Sequence, residues 1–218
     1  EWVQRGGADT LTVEALTMRL CGLAGLRMPA YYEPPGYGPT DKLRNWATRG
    51  RVEPGDAQAL AERVRALRRR WAGQPGLGGY LVGHEDYRRE LYPALAEVTR
   101  ELARHDSALP AVSVGRLDHY ADPAAFLAAL MLDRGPANVF QHEHYVFRAN
   151  VPPDSPRLPA RIAALAAGYS AVAAELAPRN GRWHAVVQAH AETRDGLPFY
   201  RRPTDAELSL QVGLALSR

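Results

Sequence analysis

A short apolar segment that runs into a cluster of ionisable side chains most constrains how this chain can fold. The segment covers residues 79–83, within the sequence G-G-Y-L-V-G-H-E-D. Apolar side chains on both faces of a strand are typical of a parallel sheet that is covered on both sides. Residues 60–71 before it and 91–102 after it have the apolar spacing of amphipathic helices. The local unit is therefore a helix, a strand, an ionisable cluster and a second helix.

The strand–helix unit recurs five times along the chain. The predicted strands cover residues 26–33, 79–83, 109–115, 137–145 and 182–192, and the last helix covers 205–217 after a capping box at Thr204 and Glu207. Such alternation gives an α/β fold, either a doubly wound sheet or a closed barrel. No Gly-rich phosphate loop follows a strand, which disfavours the doubly wound form, whereas ionisable clusters after several strands favour a (β/α)8 TIM barrel. Because such barrels need about 250 residues, we expect residues 1–218 to be one partial barrel domain, truncated at both ends.

Composition excludes several classes of protein. With 46% hydrophobic and 23% charged residues, the chain resembles an ordinary globular protein, and no run of about 18 apolar residues predicts a membrane span. The single cysteine, Cys21, rules out an intrachain disulfide framework and a multi-cysteine metal site. The net charge of +3 comes from arginines without interleaved aromatic residues, so we expect no nucleic-acid partner.

The segment Q-P-G-L-G-G-Y-L-V-G-H-E-D resembles the stretch HPALxGYYLxDEP at strand four of (β/α)8 glycoside hydrolases and their bacterial glycosidase-like relatives. The C-terminal sequence R-R-P-T-D-A-E-L-S-L-Q-V-G-L-A-L-S-R is similar to the helix before strand eight of the same proteins. The resemblance covers nearly the whole chain and implies that strands three to seven are present. It implies a glycosidase that hydrolyses O-glycosidic bonds of a carbohydrate substrate without a metal or cofactor. A secreted or periplasmic location would suit such an enzyme, although the N-terminus shows no signal-peptide pattern.

The resemblance also implies the catalytic residues. In retaining members, a glutamate after strand four is the general acid/base and a carboxylate after strand seven is the nucleophile. Glu85 matches the first position, whereas Gln188 stands near the second, and a glutamine cannot act as the nucleophile. Glu192 and Glu143 are the alternative partners of Glu85. This departure from the pattern keeps a non-catalytic carbohydrate-binding barrel as an alternative.

Histidines and aromatic residues near the predicted strand ends supply candidate contacts to sugar hydroxyls and rings. Two of the histidines, His142 and His144, share one face of a strand because side chains alternate along it. The predicted substrate-binding residues are His84, His142, His144, Tyr145, Gln188, His190, Tyr32 and Trp46. A second alternative is a metal-dependent hydrolase or isomerase, in which these histidines and Glu85 or Glu143 bind a divalent ion.

Overall fold

The computed structural model describes residues 10–31, 73–85, 87–131 and 138–217, together with the single positions Glu62, Arg65 and Arg69. The predicted site residues Tyr32 and Trp46 lie outside these ranges. The helices are α1 (Thr10–Leu23), α2 (Tyr92–His105), α3 (Pro123–Met131), α4 (Leu158–Leu176) and α5 (Asp205–Leu216). The strands are β1 (Met28–Tyr31), β2 (Leu77–His84), β3 (Ala111–Gly115), β4 (Val139–Glu143), β5 (Arg182–Val186), β6 (Glu192–Arg194) and β7 (Leu197–Tyr200).

The first five strands form one parallel sheet in the order β1-β2-β3-β4-β5. The strand order follows the chain, without the reversal that creates the switch point of a doubly wound sheet. All five strands therefore end at the same edge, which we call the carboxyl edge. The predicted α/β class and the five parallel strands are confirmed.

The described helices pack on one face of this sheet, which we call the helix-covered face. Tyr80 is paired with Ala111 in register, and Phe140 is paired with Trp183. These side chains pack in the buried clusters that also contain residues of α1 to α5, including Met18, Leu102, Leu130, Val172 and Leu214. Burial of this apolar surface, at about 25 cal/mol per Å², is the main term that holds the helices on the sheet.

The opposite face of the sheet, which we call the open face, has no described helix on it. Leu81, Val112 and Val139 lie side by side there and form a separate small cluster. Val112 and Val139 also line a cavity of about 540 Å³, together with residues that include Pro29 and Arg182. Within the described ranges, the sheet therefore has one face packed against helices and one face without a helix on it.

Apolar side chains stay exposed at both ends of the described sheet. Leu16, Leu20 and Leu23 of α1 are exposed, while Met18 of that helix is buried. At the other end, Val212 and Leu216 of α5 are exposed beside β5.

The segment Leu158–Arg179 is long and apolar enough, by length and composition alone, to cross a membrane. A single helix of this kind is weak evidence, because the core helix of a soluble protein passes the same test. Leu165, Tyr169 and Val172 of this helix are buried against the sheet and its neighbours. The absence of a membrane span remains a prediction.

The last predicted strand, residues 182–192, is wrong in its second half. The strand β5 ends at Val186, and Glu192 begins an antiparallel hairpin, β6–β7, that was not predicted. Asp195 and Gly196 form its turn with φ values of 51° and 77°. An Asp-Gly pair is a strong signal for such a two-residue turn, because both positions need positive φ.

Side-chain caps are present at the N-terminal ends of α5 and α3. The backbone N–H of Glu207 donates to Thr204 Oγ1 at 3.2 Å, and the backbone N–H of Thr204 donates to Glu207 Oε2 at 2.8 Å. This is the predicted capping box, and α5 begins where it places the start. Asp122 likewise accepts the backbone N–H of Ala125 at 3.0 Å before α3. Local capping chemistry therefore fixes these two boundaries.

Two helical glycines provide a matched test of how α4 packs on the sheet. A Cβ at Gly168 would lie 2.9 Å from His142 Nε2, whereas a Cβ at Gly213 of α5 would meet nothing within 4 Å. We expect Gly168→Ala to lower the free energy of unfolding by about 1–3 kcal/mol, because α4 must shift. Gly213→Ala should raise it by up to about 1 kcal/mol through helix propensity. Urea unfolding of both variants checks this, and a stabilised Gly168→Ala would contradict the close packing.

Candidate functional site

The carboxyl edge brings together His84 from β2 and Glu143 from β4. The register of β2 against β3 shifts between Leu81 and Gly83, so that two residues of β2 oppose one of β3. After this bulge His84 is aligned with Val114 on the open face, the face on which Glu143 also lies. His84 Nε2 is 3.6 Å from Glu143 Oε1. Bulges commonly re-aim a side chain in this way beside active sites.

Glu85 directly follows β2 and has an unusual backbone. Its φ is 56°, in the left-handed region that non-glycine residues avoid at a cost of about 1–2 kcal/mol. The backbone N–H of Glu85 donates to the carbonyl of Val114 at 2.9 Å, and Tyr87 Oη donates to Glu85 Oε1 at 3.1 Å. One ligand atom each from His84, Glu85 and Glu143 lies within 4.8 Å of the others. The strained turn thus holds the Glu85 carboxylate opposite that of Glu143.

Glu143 is partly buried, and its oxygens face several donors. Tyr145 Oη donates to Glu143 Oε2 at 3.3 Å. Burial alone raises the pKa of Glu143, but the hydrogen bond and charge of His84, and the hydrogen bonds with Glu85 and Tyr145, hold it below its ordinary value. Glu143 is therefore ionised at neutral pH. We call His84, Glu85, Tyr87, Glu143 and Tyr145 the carboxylate cluster.

The two tyrosines of the carboxylate cluster remain donors across the physiological pH range. Burial is the largest cause that raises the pKa of Tyr87, and the charge of Glu85 acts in the same direction. Burial also raises the pKa of Tyr145, together with the charge of Glu143. Their hydroxyl groups therefore keep their protons and orient the two carboxylates.

The β6–β7 hairpin forms a rim beside the carboxylate cluster. The ring of Tyr145 contacts those of His190 and Tyr200 edge-on, at centroid distances of 5.2 and 5.4 Å. Glu192 does not join the cluster directly: its Oε1 accepts a hydrogen bond from Arg194 Nε at 2.6 Å. Arg194 in turn lies 4.0 Å above the ring of Phe199. Of the two sequence-predicted partners of Glu85, the structure therefore brings Glu143 closest.

His142 and His144 lie on the helix-covered face, away from Glu143. His142 is fully buried, and its Nδ1 accepts the backbone N–H of Leu117 at 3.3 Å. His142 Nε2 has no hydrogen-bond partner among the described residues. The ring centroids of His142 and His144 are 6.4 Å apart. Both were predicted to bind substrate or, with Glu85 or Glu143, a metal. Alternation along β4 places His142 on the face opposite Glu143, and His144, directly after the strand, also packs towards α4. The arrangement with a metal shared by His142, His144 and Glu143 is therefore not formed.

Gln188 is also removed from the carboxylate cluster. It is fully buried, its Oε1 accepts the backbone N–H of Phe147 at 3.0 Å, and its Nε2 donates to the carbonyls of Phe147 and Arg201 at 3.1 Å. Its backbone N–H donates to Gln211 Oε1 at 3.0 Å. With its amide satisfied in this way, Gln188 has a structural role in place of the predicted contact to substrate.

Three residues at the site were not predicted. Tyr87 lies two positions after Glu85, where a residue that follows a strand end can be expected to reach the same edge. Phe199 and Arg194 belong to the hairpin, whose Asp-Gly turn was the available signal. Recognition of that turn would have placed aromatic and charged side chains beside the carboxyl edge.

Known proteins provide no further identification of this chain. A scan against protein-family models found no match, and neither did searches of curated proteins and of solved structures.

The buried histidines predict acid sensitivity. Burial lowers the pKa of His142 from 6.5 to about 4, and the charge of His144 acts in the same direction. Burial likewise lowers the pKa of His144 from 6.5 to about 4, and the charge of Arg116 lowers it further. As the pH falls, both histidines are therefore protonated in the unfolded state before they are protonated in the folded state. The free energy of unfolding decreases as the pH falls from about 6.5 towards 4. The expected loss of unfolding free energy between pH 7 and 5 is on the order of 2 kcal/mol for one histidine.

The double variant His142→Gln/His144→Gln should reduce this loss, as measured by urea unfolding at both pH values. The exposed His190 provides the control, since His190→Gln should keep the wild-type pH dependence. An unchanged loss in the double variant would show that other groups cause it.

The backbone of Glu85 predicts a gain in stability on substitution. Asparagine tolerates the left-handed region better than glutamate, so Glu85→Asn should raise the free energy of unfolding by about 1 kcal/mol. Glu85→Gln keeps the unfavourable conformation and should show no such gain. Thermal unfolding of the two variants compares them directly, and equal stabilities would argue against strain at this position.

Proposed function

We propose that this protein is a glycosidase that hydrolyses O-glycosidic bonds with Glu85 and Glu143 as its two catalytic carboxyl groups. One observation carries the proposal: the two carboxylates face each other, with oxygens within 4.8 Å, at the carboxyl edge of a parallel sheet. Glycosidic hydrolysis needs such a pair, since one group protonates the leaving oxygen while the other attacks or activates water.

The environments of the two carboxyl groups suggest their roles. Glu143 is partly buried with a depressed pKa, which suits an ionised nucleophile. Glu85 is exposed at the mouth of the site and matches the acid/base position of the resembled family. Retaining enzymes hold their carboxyl groups about 5–5.5 Å apart and inverting enzymes about 6.5–9.5 Å apart. The short separation here favours retention.

The chemistry then runs in two steps. A Glu143 oxygen forms a bond to the anomeric carbon while the glycosidic bond breaks, and Glu85 gives its proton to the leaving oxygen. Water next attacks the anomeric carbon, Glu85 takes a proton from that water, and the bond to Glu143 breaks. Tyr145 Oη, which bonds Glu143 Oε2, orients the nucleophile throughout.

We also propose that the parallel sheet forms strands three to seven of a (β/α)8 barrel. Support comes from the sequential strand order, from the packing of all described helices on one face, and from ionisable side chains at the carboxyl edge. Leu81, Val112 and Val139 on the open face would then line the barrel interior. A doubly wound sheet would instead carry helices on both faces.

Aromatic side chains beside the carboxylates support a carbohydrate substrate. Tyr145 and His190 contact each other edge-on, and Tyr200 packs against both. His190 is exposed and Tyr145 is partly exposed, so these rings offer a surface next to Glu143. Rings and imidazoles of this kind can contact the apolar faces and hydroxyl groups of a sugar.

Activity on a panel of aryl glycosides tests the proposal. Glu85→Gln should reduce turnover by about 10²–10⁴-fold with the fold retained, which is the usual effect of losing a general acid or base. Glu143→Gln removes the nucleophile and should reduce turnover at least as strongly. Glu192→Gln is the matched control, because Glu192 pairs with Arg194 on the hairpin. A larger loss in Glu192→Gln than in Glu143→Gln would contradict the assignment of the nucleophile.

A wild-type protein that binds oligosaccharides without cleaving any member of the panel would support the non-catalytic barrel instead. Retention can be checked separately, from the anomeric form of the first product by NMR. An inverted first product would exclude the covalent intermediate on Glu143.

A further inference from the structure

We propose that His84, Glu85 and Glu143 also bind one divalent transition-metal ion, with Zn²⁺ and Mn²⁺ as the matching cations. One nitrogen and two carboxylate oxygens, one from each residue, lie within 4.8 Å of one another. Imidazole and carboxylate are the ligands that such ions take in proteins. Binding needs only this geometry, whereas its effect on activity rests on the proposed function.

The distances require little rearrangement. Ligand atoms about 2.0–2.2 Å from a tetrahedral ion are roughly 3.4 Å from each other. His84 Nε2 and Glu143 Oε1 are already 3.6 Å apart. The ligand atom of Glu85 lies within 4.8 Å of the other two, so it must approach them by at most about 1.4 Å. Because Glu85 is exposed, a rotation of its side chain can provide this movement.

Neighbouring hydroxyl groups favour a defined arrangement of the ligands. Tyr87 Oη holds one oxygen of Glu85 at 3.1 Å, and Tyr145 Oη holds Glu143 Oε2 at 3.3 Å. Each carboxylate keeps a second oxygen for an ion, with Glu143 Oε1 the one nearest His84. Outer contacts of this kind orient metal ligands and strengthen binding.

The site is open to solution and is balanced in charge. Glu85 is exposed, and about half of the His84 side chain is accessible, so an ion can enter and exchange. Two carboxylates neutralise a divalent charge, and three protein ligands leave at least one position for water. The geometry is that of an exchangeable site.

Occupation by a metal would inhibit glycoside hydrolysis. The nucleophilic oxygen of Glu143 and the proton-carrying oxygen of Glu85 would both be bound to the ion, so neither could act on the glycosidic bond. The cation is therefore a reversible inhibitor that acts at the catalytic pair. A chelator should restore full activity.

Titration calorimetry with ZnCl₂ and MnCl₂ on the chelator-treated protein, at one fixed pH, tests binding. We expect one ion per chain. His84→Gln and Glu143→Gln should each weaken the affinity by at least about 10-fold, the loss that even a disturbed outer contact causes. His190→Gln is the matched control, because His190 is an exposed imidazole beside Tyr145 at the same edge and should leave the affinity unchanged.

Binding that is absent in the wild type, unaffected by both His84→Gln and Glu143→Gln, or abolished by His190→Gln would overturn this site. The two proposals fail separately. Metal binding with the expected variant effects but no glycoside turnover would leave the metal site and remove the glycosidase. Activity that requires added Zn²⁺ or Mn²⁺ would keep the site and overturn its inhibitory role, together with the metal-free mechanism.

Discussion

The bulge in β2 decides which side chains meet at the carboxyl edge. Without the register shift between Leu81 and Gly83, strand alternation would turn His84 towards the helix-covered face. The shift instead directs His84 to the open face, where it lies 3.6 Å from Glu143. Glu85 then leaves the strand through a left-handed turn and faces the same carboxylate. Two backbone irregularities in succession therefore build the site, as is common where strain serves function.

Alternation along β4 places a neutral histidine on one face of the sheet and an ionised glutamate on the other. Phe140 and His142 point under the helices, whereas Gln141 and Glu143 point to the open face. The buried side holds His142 neutral because burial lowers its pKa, and the open side holds Glu143 ionised because donors surround it. Opposite environments on neighbouring residues thus give the sheet a pH-sensitive core on one face and an ionised carboxylate on the other.

The parts of this fold that depend on periodicity were predictable from the sequence, and those that depend on register were not. Apolar runs located the five strands, and capping residues located the start of α5. The resemblance to glycoside hydrolases implied a role for Glu85, with Glu143 as one of two alternative partners. The bulge that pairs Glu143 with His84 leaves no mark in hydrophobic spacing, because β2 is buried on both faces and a change of face does not alter its apolar pattern. The face taken by His142 and His144 was predictable in principle. Both are an even number of positions from the apolar Phe140, so their side chains are expected on the same buried face of the strand.

Gln188 stands near the position where the resemblance to glycoside hydrolases implies a nucleophile, and it links two segments beside the carboxylate cluster. Gln188 cannot attack a sugar, but its amide joins Phe147, in the segment after β4, to Arg201, directly after β7. The same segments are also joined directly, since the backbone N–H of Arg201 donates to the carbonyl of Phe147 at 3.0 Å and that of Ala149 to the carbonyl of Phe199 at 3.1 Å. The ring centroids of Tyr145 and Tyr200 lie 5.4 Å apart there, and Tyr145 donates to Glu143. The buried glutamine therefore adds to the backbone bonds that join the segment of Tyr145 to that of Tyr200. An alanine at this position would leave the buried N–H of Phe147 unpaired, which costs about 1–3 kcal/mol, whereas the Phe147 carbonyl would keep the N–H of Arg201. The glutamine therefore stabilises the rim.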